Sequence, residues 1–190
     1  METVQVALWV VVLLVVLALA FDFMNGFHDA ANSIATVVST GVLKPGQAVV
    51  FAAFFNFVAI FIFHLSVAAT VGKGIADPGV VDVHVVFGAL VGAITWNFVT
   101  WYYGIPSSSS HALIGGIVGA VMAKAGSSAL VSSGILKTVA FIFISPVLGF
   151  TLGSLMMVVV AWVCRRATPS KVDRWFRRLQ LVSAGAYSLG

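Results

Sequence analysis

The sequence predicts an all-α membrane protein: a bundle of transmembrane helices with a broken first helix and a re-entrant hairpin. Three observations lead there. Of 190 residues, 61% are hydrophobic and 8% are charged, against about 25% charged in soluble domains. Such a chain cannot cover itself with polar surface, so the bilayer is its main solvent. Apolar stretches of about 20 residues, the length of a span, recur along it. Two polar stretches interrupt them where a membrane helix should be greasy.

The first span runs from Val4 to about Met24. Met1–Gln5 holds Glu2 and no lysine or arginine, so this is a retained helix and not a secretory signal. It leads into the first polar stretch, Asn25–Thr36. At about 100° per residue, Asp22, Asn25, Asp29, Asn32, Ser33, Thr36 and Thr40 share one side of a helix. Phe23, Ala30, Ala31, Ile34 and Val38 take the other. Polar groups at bilayer depth are costly and mark a cavity, a solute path or a partner helix. The plainer alternative is a helix interface glued by amides and hydroxyls. Gly26 and the amides allow a break, so Phe27–Leu43 reads as a second half-helix or as a continuation of the first, ended by Lys44-Pro45-Gly46.

Gln47–Val71 is the second span; its His64 is read as a packed, hydrogen-bonded residue. Lys73, Asp77, Pro78 and Asp82 mark a loop. Val83–Tyr103 is the third span, with Gly88 and Gly92 spaced for close helix approach. Trp96, Trp101, Tyr102 and Tyr103 crowd its end, as headgroup-level aromatics do.

The second polar stretch is Gly104–Gly116. Pro106 followed by Ser107–Ser110 reads as a helix start, with a serine as cap. The first N–H groups of a helix lack internal partners and, with the positive dipole end, form an anion site. Ser107–Met122 is short for a full crossing, which fits one arm of a re-entrant hairpin. Paired polar stretches at helix breaks are the pattern of a midplane site in a secondary transporter.

A loop, Lys124–Ser133, precedes the last complete span, Ile135–Val163, which carries Pro146 as an expected kink and a second close-packing pair, Gly149 and Gly153. Six of the ten basic residues then lie between Arg165 and Arg178, a cytoplasmic signal by the positive-inside rule and a contact for anionic headgroups. Trp175, Phe176, Leu179 and Leu181 add an amphipathic surface helix. The chain thus divides into a transmembrane region (1–164), a basic juxtamembrane segment (165–180) and the start of a next helix too short to span (181–190). The single cysteine, Cys164, excludes an internal disulfide framework.

No enzyme is expected. Asp29, Ser110 and His111 lack a nucleophile elbow. His28, Asp29 and His111 lack familiar metal-site spacing, no P-loop is present, and no cofactor is called for. A solute carrier accounts for more: an anion at the Ser108–Ser110 helix start, with Asp29 holding a cation or proton that travels with it. The competing class is a non-transporting assembly subunit or channel-like module, whose polar stripes are interfaces.

At its two polar stretches the chain resembles the inorganic phosphate transporter (PiT) family, in its bacterial low-affinity branch. Asn25-Gly26-Phe27-His28-Asp29-Ala30-Ala31-Asn32-Ser33 is similar to the family's first signature. Trp96-Asn97, Thr100-Trp101-Tyr102, Gly104, Pro106 and Ser108-Ser109-Ser110-His111 are similar to its hairpin motif. The resemblance implies two inverted repeats with phosphate bound between them, free or as a metal–phosphate complex, driven by sodium or protons in a bacterial or archaeal cell membrane. By position, Asp29, Asn32, Ser108, Ser109 and Ser110 are then substrate-binding residues. Asp29, Asn32 and Asn25 are coupling residues, and His28 and His111 support them. Relatives carry each motif twice and this sequence carries each once, so it reads as an N-terminal half whose partner is the missing C-terminal repeat, among membrane lipids and with no nucleic acid.

Overall fold

The computed structural model describes residues 7–62 and 74–189, excluding the side chains of residues 28–31 and 60. The expectations for His64 and for the far end of the Gln47–Val71 span lie outside the described residues, as do those for the side chains of His28 and Asp29. Six α-helices lie wholly within the described residues: α1 Leu8–Ser39, α2 Pro45–Ile62, α3 Val83–Tyr103, α4 Ser109–Ala125, α5 Ser132–Cys164 and α6 Pro169–Leu189. A 3-10 turn, Ser127–Ala129, links α4 to α5. Among the described residues there is no strand, only an isolated bridge between Ala76 and Leu130. Helices satisfy their own backbone groups, as a lipid-exposed chain must.

The expected break in the first helix is not there. Helix α1 runs unbroken through Gly26 and the amides. None of these residues removes a backbone donor as proline would, and one glycine costs a helix only about 1 kcal/mol. At 32 residues it is about 48 Å long, well over the bilayer's hydrocarbon thickness. Pro45 opens α2 at its first position, where the missing N–H is no loss. Pro146 lies inside α5, which continues through it. Helix α6 continues through the expected boundary at 180–181 and buries Ala184, Gly185 and Ser188. Of the described helices, α1, α3 and α5 are long and apolar enough to cross a membrane.

The chain forms two compact units. One comprises Met1–Asp29 and Leu65–Ile135. Within it, Phe21 on α1 packs with Leu90 and Ala93 on α3 and Ala112 on α4. A second cluster joins Ala76, Val85 and Val121. The other unit comprises Ala30–His64 and Leu136–Gly190. There Val37, Ala48 and Ala184 form the core, Thr40 donates to Gln180 at 2.9 Å, and the Phe55 ring lies over Gly185.

Candidate functional site at the start of α4

Helices α3 and α4 form an antiparallel hairpin held by small residues. Gly116 lies so close to Ala89 that a Cβ there would run into the Ala89 carbonyl. Gly88 faces Ala120, and Gly92 faces Gly116. The loop ends are tied as well. Asp82 caps α3, its Oδ1 accepting from the amides of His84 and Val85, both at 3.1 Å. Lys124, at the far end of α4, donates to Asp82 Oδ2 at 2.8 Å and to the Val80 carbonyl at 2.9 Å. Lys124 first, then the amide of Val85 and the His84 ring, holds the Asp82 carboxyl well below the usual carboxylate range.

At the other end, Gly104 closes α3 in the left-handed region at φ 65°, which glycine adopts without penalty. Its amide and that of Ile105 donate to Trp101 and Thr100 carbonyls. The chain then extends through Pro106 to Ser108, the N-cap of α4. Ser108 Oγ accepts from the His111 amide at 3.4 Å, and Ser108 O accepts from Ala112 at 3.0 Å. The amides of Ser109 and Ser110 precede the first intrahelical bond, so helix geometry gives them no acceptor within α4. The four hydroxyls do not share one direction. Ser109 is buried, Ser108 and Ser110 are exposed, and half-buried Ser107 accepts from Trp96 Nε1 at 3.3 Å. His111 is exposed. A groove of about 530 Å³ flanks the hairpin, lined by glycines and alanines with Trp96, Ser107 and His111 at one end.

The first stretch lies along α1. Asn25 is half-buried, Asn32 exposed and Ser33 buried. Asn25 belongs to the same unit as the hairpin, and its neighbour Phe27 meets the Trp101 ring edge-on at 5.8 Å between centroids. Asn32 belongs to the other unit. Sequence reasoning assigned no role to Asn97, which is 1% exposed, with a carboxamide Nδ2 that has no hydrogen-bond partner. Its signal was available: it follows Ala89 and Ala93 at steps of four, on the face that meets α4.

A model of the phosphate transporter family matches residues 25–190, nearly the whole chain. This chain belongs to that family. It is 60% identical to a probable low-affinity inorganic phosphate transporter of Rhizobium meliloti, over 93% of this chain and 53% of the relative. A Bacillus subtilis relative of the same description is 46% identical, over 97% and 56%. One from Streptomyces halstedii is 47% identical, over 96% and 86%. The chain spans about half the length of the Rhizobium and Bacillus relatives. Among solved structures, one titled "The sodium-dependent phosphate transporter" matches with a TM-score of 0.79 at 24% identity, over 96% of this chain and 53% of that one, which establishes the shared fold. Family membership and the three membrane-length helices together make this a multi-pass membrane protein with bacterial relatives.

Proposed function

We propose that this chain is a repeat of a phosphate transporter that seats inorganic phosphate against the first turn of α4 and moves it by symport with a cation. The observation that carries the reading is the Ser108-capped start of α4, held against α3 by backbone-to-backbone packing in a chain of this family. The amides of Ser109 and Ser110 and the positive end of the helix dipole favour an oxyanion there. A capping serine still has its O–H hydrogen to donate, so Ser108 contributes alongside Ser109 and Ser110.

Asp29 is the coupling residue in this reading, with Asn25 and Asn32 assigned the same role by their positions in the sequence motif. A carboxylate repels phosphate unless a cation or proton accompanies it, so co-loading balances the charge in a low-dielectric site. Sodium is the favoured cation, because the structural relative is titled sodium-dependent. His28 and His111 take supporting places. The cargo is phosphate, free or carried as a metal–phosphate complex.

The test is uptake of labelled phosphate into proteoliposomes by the full-length transporter containing this sequence, with and without a sodium gradient, for wild type and Asp29→Asn. Sodium-driven uptake that Asp29→Asn uncouples supports the reading. Equal uptake and equal cation dependence in the variant removes Asp29 from coupling, and no phosphate uptake by the wild type removes the function. Comparing this 190-residue chain alone with the chain plus a second repeat asks whether one repeat suffices.

A further inference from the structure

We propose that Asn97 is a further anion-binding residue, its carboxamide Nδ2 donating to an oxyanion seated at the first turn of α4. The proposal rests on the phosphate reading above and adds a donor from a second helix. The starting observation is energetic. Asn97 is 1% exposed, and its Nδ2 has no acceptor in the described structure. Folded proteins pair the large majority of their buried donors, so an orphan calls for an explanation. Thr100, one turn on, turns its O–H to the carbonyls of Trp96 at 3.0 Å and Asn97 at 3.1 Å, and the Asn97 Nδ2 makes no hydrogen bond to its oxygen.

The hairpin's register says what Asn97 faces. Gly88 meets Ala120, Gly92 meets Gly116, and Ala93 clusters with Ala112. Each turn forward along α3 is a turn back along α4. The next step sets Asn97 opposite Ser108 and Ser109, and Ser109 is also buried. Beside it, Trp96 Nε1 holds the Ser107 hydroxyl and fixes the chain entering α4. Asn97 therefore brings an unpaired donor to the turn whose first amides have no acceptor within α4. An amide N–H cannot coordinate a cation, so the orphan belongs with the anion and not with the coupling ion.

The experiment measures phosphate uptake by the full-length transporter in proteoliposomes, and melting temperature with and without inorganic phosphate. In Asn97→Ala the expected rise in phosphate KM is about 10- to 100-fold, the range of one hydrogen bond to a charged partner. The sodium KM at saturating phosphate stays unchanged. The phosphate-free Tm holds or rises, because an unpaired buried donor has been removed. Asn97→Asp, which keeps shape but exchanges the donor for a charged acceptor, loses phosphate uptake at least as severely.

Three results overturn the proposal while leaving the phosphate reading intact in an active wild type. One is an unchanged phosphate KM in folded Asn97→Ala. Another is a lower phosphate-free Tm with a full phosphate-induced Tm shift, which makes the residue structural. The third is tighter sodium dependence in Asn97→Asp, which places the amide oxygen toward the cation. A wild type without phosphate uptake fails at the earlier step and takes both readings with it.

Discussion

The same sequence feature has two different outcomes in this molecule. Gly88 and Gly92 on α3 meet Ala120 and Gly116, and the hairpin closes so tightly that Ala89 and Gly116 touch through their backbones. Gly149 and Gly153 on α5 have the same spacing and meet nothing within 4 Å, and no residue of α5 is buried. Small residues permit close approach; they do not cause it. What α3 has in addition is a partner carrying its own small residues in register, Ala112, Gly116 and Ala120, and a capped loop at each end. In a bilayer, where lipid is as apolar as leucine, such packing and hydrogen bonds are what hold two helices together.

Substitutions that fill the two glycine pairs put that contrast to the test. Gly116→Leu has the largest expected effect, because the obstruction is the Ala89 backbone and not a side chain that can swing away. The loss should exceed about 3 kcal/mol, the upper end of ordinary overpacking, seen as a collapse of the detergent-solubilised melting temperature. Gly149→Leu is expected within about 0.5 kcal/mol of wild type. Equal damage at both positions would mean that α5 is packed after all.

Smaller effects sharpen the account of the hairpin's ends. Gly104→Ala forces a side chain into the left-handed region and should cost about 1–2 kcal/mol in the same melt. Ser108→Ala removes the cap on α4 and should cost about 1 kcal/mol, with weaker phosphate affinity in addition. The Asp82–Lys124 pair is part-exposed, with 43% and 39% of the side chains accessible, and has the smallest effect. Asp82 has a depressed folded-state pKa, so its stabilisation is fully present above about pH 4, the unfolded value, and fades as pH falls toward the folded one. A pH-melt series should show Asp82→Asn losing its difference from wild type as the pH falls below about 4.

Much of this was legible in the chain. The third span was read as Val83–Tyr103 and is α3 to the residue, because Asp82 caps one end and Gly104 the other. The serine cap of α4 and its short length were equally plain, since Pro106 and the serine run have strong local meaning. The break in α1 was misread because glycine and amides within a polar stretch resemble a helix end, yet they leave every backbone donor in place. The joining of the basic segment to the last apolar stretch was hidden, because α6 continues by packing Gly185 under Phe55, a contact 130 residues away in sequence. Asn97 stood inside the quoted hairpin motif and on the small-residue face of α3, but its unpaired Nδ2 is a property of the packed hairpin and was not legible in the sequence.

The most direct test of the central claim, that an anion sits at the start of α4, is a phosphate titration of the isotope-labelled full-length transporter in nanodiscs, following the backbone amides of Ser109 and Ser110 by NMR. The account predicts that both resonances move with phosphate and saturate together, that sodium chloride alone leaves them in place, and that Asn97→Ala shifts the midpoint to higher phosphate. Saturable phosphate binding that leaves both amides unmoved would contradict it and put the anion elsewhere.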